Sequence, residues 1–104
     1  VVELKCGFTG CRTAVARQRD GEPCAMRGPL RRASDCLLHR HIAQLAATRA
    51  MLVSEPGLVS GLRRQGVDPE IGAVLLYADP SGTELVPLPE WWAKRGGAIV
   101  RALE

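Results

Sequence analysis

Apolar and polar positions change period several times along this chain, and each change marks an element. Val1–Lys5 (VVELK) and Arg12–Arg17 (RTAVAR) read as two short strands joined by a tight knuckle. Gln18–Pro23 is a polar turn around Asp20-Gly21, and Met26–Ala33, with Gly28, Pro29 and an arginine pair, reads as a loop. A helix is predicted from Asp35 to Val53, with Ser34 or Asp35 as its N-cap. Leu38, Ile42, Leu45 and Leu52 repeat at helical spacing and form a core stripe, and Arg40, Gln44 and Ala47 fall on the opposite, wetter face.

Ser54-Glu55-Pro56-Gly57 ends this helix and caps a second. The second helix runs to Gln65, with Leu58, Val59 and Leu62 inward and Gly66 as its stop. Asp68-Pro69-Glu70 opens a further turn. Ala73–Ala78 (AVLLYA) is predicted as a buried strand, Asp79–Gly82 as a turn, and Thr83–Leu88 as the returning partner. That partner should be an edge, because Pro87 has no N–H for a ladder. Pro89 starts one last helix, weakened by Gly96-Gly97. The predicted fold is α+β: an N-terminal zinc-binding module with a long helix over 1–53, and a helix, β-hairpin and terminal helix over 54–104 packed on it as one compact domain. A winged-helix-like order is also permitted over the second half, but its wing tip, DPSGTE, would be acidic rather than basic.

Size and composition narrow the classes. A chain of 104 residues buries a modest core, so a covalent or metal staple is useful. Its 46% hydrophobic content is that of a globular chain, which argues against disorder. The longest apolar run, Ile71–Ala78, falls far short of the ~18 residues of a membrane span. No basic, apolar, small-residue series marks a secretory signal, so the expected location is cytoplasmic.

The chemistry is concentrated at one end. Cys6, Cys11, Cys24, Cys36, His39 and His41 all lie within the first 41 residues. In a reducing compartment such a cluster binds metal more often than it forms disulfides; two disulfides in a secreted domain are the competing reading. Cys6 and Cys11 bracket GFTG, whose glycines let both sulfurs point one way. Cys36 and His39, at i and i+3, share a face in the first turn of the long helix, where the dipole favours a thiolate. Zinc in structural sites takes four such ligands in a tetrahedron. His41, five residues beyond Cys36, turns away from that face.

A C-x4-C knuckle, a β-hairpin and a helix opening with C-x2-H resemble a treble-clef zinc finger over residues 1–45. The resemblance implies one structural Zn²⁺ held by Cys6, Cys11, Cys36 and His39. The Cys11-to-Cys36 spacing is long for compact members, and the added segment carries Cys24. A second resemblance, to short zinc motifs of small microbial and phage proteins with G-x-P-C followed by C-x2-H, makes Cys24 the alternate ligand beside Cys36, His39 and either Cys11 or Cys6. Some treble-clef relatives are His-Asn-His nucleases. This chain has no Asn, no Ser-His-Asp set and no phosphate loop, so it is not expected to be an enzyme, and a metal-dependent nuclease is the remotest alternative.

Charge and aromatics give two partner classes. Residues 1–50 hold nine basic and four acidic residues, a net +5, and residues 51–104 hold five and seven, a net −2. Arg12, Arg17, Arg31, Arg32 and Arg40 form a candidate nucleic-acid face, of the sequence-independent, salt-sensitive kind. The plainer reading is a solvated surface. Trp91 and Trp92, adjacent and so about 100° apart on a helix, form a candidate protein interface if one ring packs on the hairpin and the other is exposed. Alternatively, both rings cover a thin core. The expected function is a non-enzymatic, zinc-stabilised regulatory adaptor binding another protein, of the kind phages and mobile elements carry. The alternative is a nucleic-acid-binding zinc finger. Neither expectation involves a membrane or a small-molecule substrate.

Overall fold

The computed structural model describes residues 1–6, the backbone of 18–19, and residues 21–104. The predicted strand Arg12–Arg17 lies outside them. Along the chain come β1 (Val2–Cys6), β2 (Gln18–Arg19), β3 (Glu22–Pro23), a 3₁₀ turn (Gly28–Leu30), α1 (Leu37–Val53), α2 (Leu58–Arg64), β4 (Val74–Asp79), β5 (Gly82–Pro87), α3 (Glu90–Ala93) and α4 (Gly96–Leu103). The fold is α+β.

Three strands form one sheet in the order β1-β4-β5. β1 runs parallel to β4, with Leu4 beside Leu76, and β5 returns antiparallel, with Leu76 beside Leu85. A parallel pair needs a crossover, and α1 lies within it. The hairpin is therefore no wing: its strand β4 is the centre of the sheet, and β5, which carries Pro87, is an edge, as the missing N–H requires.

α1 covers one face of this sheet and is in turn covered by α3 and α4. Leu45 and Leu75 are fully buried at the centre, with Ile42, Ala46, Tyr77, Trp92 and Ile99 around them. This double cover explains one departure from the sequence pattern. Ala47, placed on the wetter face, is buried, because a helix packed on two sides has a buried arc wider than one stripe. Arg40 and Gln44 are exposed as expected.

Other boundaries move for identifiable reasons. The N-cap of α1 is Cys36, not Ser34 or Asp35. Asp35 instead accepts from Arg40 Nε at 2.7 Å, and the Ser34 hydroxyl lies 3.3 Å from His39 Nδ1. The Met26–Ala33 loop is pinched shut by an antiparallel bridge between Ala25 and Ser34 and contains the 3₁₀ turn. The strand predicted as buried is buried on one side only: Leu75 and Tyr77 point to the core, and Val74, Leu76 and Ala78 alternate away from it. The predicted last helix is two helices, because the chain turns at Lys94–Arg95 to lay α4 across α1.

Within the core His41 Nδ1 hydrogen-bonds the Tyr77 hydroxyl at 2.8 Å. Burial holds the His41 imidazole below its ordinary pKa; Lys5 adds to the effect and Glu3 opposes it. Tyr77→Phe keeps the ring and deletes this bond. It should cost about 1 kcal/mol, read as a lower urea midpoint at unchanged slope.

Candidate metal centre and an uncharged sheet face

Two local devices bring Cys24 and Cys6 toward the end of α1 that carries Cys36 and His39. The Asp35 N–H donates to the Cys24 carbonyl at 2.8 Å and the Met26 N–H to Ala33, so the chain around Cys24 runs beside the chain entering the helix. The β2–β3 hairpin immediately precedes Cys24. Meanwhile α1 runs antiparallel to β1: Thr48 donates to Glu3 at 3.0 Å and Lys5 Nζ to Gln44 at 2.7 Å. Continuing in that direction, the start of α1 reaches the end of the sheet where β1 finishes at Cys6.

The donor chemistry suits zinc. Cys36 is 5% exposed at the helix N-cap, where its side chain makes no capping hydrogen bond. His39 Nδ1 lies 2.8 Å from the Ser34 carbonyl oxygen. A carbonyl only accepts, so Nδ1 is the donor in this contact, which in the neutral ring leaves the lone pair on Nε2. A backbone partner that fixes the tautomer in this way is the usual companion of a metal-binding imidazole. Cys6 is exposed, Cys24 half-buried, and all three described cysteines are free. Among the described residues no three His, Cys, Asp or Glu side chains converge on one point, and Cys11 lies outside them.

Arg31 and Arg32 are exposed just after the 3₁₀ turn, with Arg27 before it. Arg40 is already neutralised by Asp35, and Arg12 and Arg17 lie outside the described residues.

The tryptophans are mostly spent on the fold. Trp92, at 6% exposure, is no exposed anchor; its ring centroid is 5.2 Å from that of His39 on α1. Trp91 meets it edge-on at 5.0 Å and is half-buried. The Arg95 guanidinium lies 3.7 Å over the Trp91 ring while donating to the Trp91 carbonyl. Of the two expectations, covering a thin core describes this pair better.

The prominent open surface lies elsewhere, on the sheet face away from α1. Three cross-strand rows build it: Val2–Val74–Pro87, Leu4–Leu76–Leu85 and Cys6–Ala78–Thr83. None of the nine is charged. Val2 is 63% exposed, Leu4 60% and Leu85 63%. β1 is inverted relative to a normal half-buried strand: its charged residues, Glu3 and Lys5, point at α1, and its apolar residues point outward. The alternation in VELKC carried this signal, but only pairing with β4 tells which face is which.

No helix among the described residues is long and apolar enough to cross a membrane. No family model, no curated protein and no solved structure matches this chain.

Proposed function

We propose that this chain is a non-enzymatic, zinc-stabilised binding module that acts as a small adaptor for another protein, with the outer face of the β1-β4-β5 sheet as its contact surface. The observation that carries the proposal is the inverted strand β1. A sequence that turns Glu3 and Lys5 toward Thr48 and Gln44 of its own helix leaves Val2 and Leu4 in water, where an isolated domain gains no apolar burial from them. Contiguous exposed apolar patches of this kind mark interaction sites. Zinc, on this proposal, is held by Cys36 and His39 with two of Cys6, Cys11 and Cys24, and locks the segment before α1 as a structural ion.

The face can be tested without knowing the partner. Leu4→Asp with Leu85→Asp places two charges where the side chains are already exposed, so stability should change by no more than about 0.5 kcal/mol per site. Binding of a hydrophobic reporter dye to the native protein should fall sharply. A large loss of stability, or dye binding equal to wild type, would show that the face is not an open apolar surface.

A second reading, nucleic-acid binding, keeps one specific support: Arg27, Arg31 and Arg32 are exposed around the 3₁₀ turn, and none has an acidic side chain in salt-bridge contact among the described residues. If they face phosphates, a duplex should bind at low salt. Arg31→Ala with Arg32→Ala should weaken that binding and reduce the slope of log K against log salt by about 2. A duplex that fails to bind at about 50 mM salt would remove this reading.

A further inference from the structure

We infer that the zinc site lies on the side of α1 away from the sheet, with Cys24, Cys36 and His39 supplying three of its four ligands, and that Cys6 takes no part in it. This rests on the zinc-binding reading proposed above and selects among its candidate ligands.

Two histidines fix the direction. Successive helix residues turn by about 100°, so His39 and His41 point in nearly opposite directions from α1. His41 meets the Tyr77 hydroxyl on β4, so it faces the sheet. His39 packs against Trp92 of α3 instead. Cys36 stands three residues before His39 and shares its side of the helix. The chain that carries Cys24 is on this side too. It leads into the 3₁₀ turn, which packs against α4, and Leu30 of that turn joins the core. The Asp35 N–H donates to the Cys24 carbonyl at 2.8 Å, one residue from Cys36, and the adjacent Ser34 carbonyl accepts from His39.

Cys6 reaches the same end of α1, but on the far side of the sheet. Its register with Ala78, and that of Ala78 with Thr83, places its exposed thiol in the outer row. Glu3 and Lys5, which alternate with it, are the residues of β1 that turn to Thr48 and Gln44 of α1. The sheet and a helix about 10 Å across therefore separate the Cys6 thiol from the His39 ring. Two ligands of one zinc lie within about 4.6 Å of each other, because each stands no more than about 2.3 Å from the ion. For Cys6 to ligate, β1 would have to give up its pairing at Ala78. Cys24 is under no such constraint. The Ala25–Ser34 bridge is isolated, so no ladder fixes the face that its half-buried thiol takes.

The test uses the full chain loaded with one equivalent of zinc. Iodoacetamide is added to the native wild type with and without chelator, and the modified cysteines are mapped by mass spectrometry. Cys6 should be alkylated readily in both samples, with the zinc retained where no chelator is present. Cys24 and Cys36 should react at least tenfold faster once the chelator removes the ion. Native mass spectrometry against a competing chelator then compares two variants. Cys6→Ser should hold zinc within about threefold of wild type, and Cys24→Ser at least a hundredfold more weakly. Zinc that protects Cys6, or that is lost from Cys6→Ser, would make Cys6 a ligand and overturn the inference while zinc binding itself stands. A Cys24 thiol that reacts equally with and without the ion, in a protein holding one zinc, would overturn it too. A wild type that holds no zinc, with thiol rates indifferent to chelator, would remove the zinc reading and this ligand set with it.

Discussion

Cys36→Ser is expected to unfold the segment before α1 and to abolish stoichiometric zinc binding, although serine is the residue that best suits its position. Cys36 is the N-cap of α1. Serine there would accept from the first-turn N–H groups, which is normally worth about 0.5–2 kcal/mol over a residue that cannot cap. A cysteine that serves only as a small buried apolar residue should therefore be replaced by serine at little cost, or with a gain. A cysteine that ligates zinc cannot be replaced: its loss forfeits a share of a binding free energy that reaches about 10–16 kcal/mol in small zinc modules, comparable with the whole stability of a domain. The two roles predict opposite signs for one substitution. Thermal unfolding with and without chelator, together with zinc content by native mass spectrometry, reads both. The wild type should hold one zinc and melt lower in chelator, and Cys36→Ser should hold none and melt at least as low. A serine variant that melts at or above wild type, with or without chelator, would end the zinc proposal.

What was legible in the sequence follows from how local each signal is. The helices at 37–53 and 58–64 and the hairpin at 74–87 were readable because their periodicity, Gly57, Gly66 and the Asp79–Gly82 turn are local facts. Among the candidate ligands, the placing of Cys36 and His39 at one helix start is a local pattern, whereas the neighbourhood of Cys24 depends on the Ala25–Ser34 bridge, which no local pattern announces. The parallel pairing of β1 with β4 joins residues some 70 positions apart. Without it, Val2 and Leu4 look like core and the open face is invisible. The Trp pair is open to both readings in sequence, and only tertiary contacts show His39 beside the Trp92 ring and Arg95 over the Trp91 ring.

Gly96→Leu is expected to undock α4 from α1, and the neighbouring Gly97→Ala to stabilise the protein. Glycine pairs in helices look like weaknesses, each costing up to about 1 kcal/mol relative to alanine. Here the two have different reasons. A Cβ on Gly96 would stand 2.6 Å from the Ala46 carbonyl oxygen and 3.0 Å from Ala50 Cβ. Both obstacles belong to α1, and one is backbone, so nothing flexible can give way. Gly96 with Ala46 and Ala50 thus forms the close crossing that carries Ile99 and Trp92 into the core. Even alanine at 96 should lose more by overpacking, about 1–3 kcal/mol, than it gains in helix propensity. Leucine, which adds three further carbons at the same point, should cost about 3 kcal/mol or more and release Trp92. At Gly97 the nearest atom to an added methyl is the tip of the flexible Arg101 side chain at 3.4 Å, so alanine keeps its propensity gain of about 0.5–1 kcal/mol. Urea unfolding followed by tryptophan emission separates the two. Gly96→Leu should shift the midpoint down and the native emission to the red, and Gly97→Ala should shift the midpoint up with emission unchanged. If both glycines respond alike, α4 does not cross α1 at Gly96, and the burial of Trp92 needs another cause.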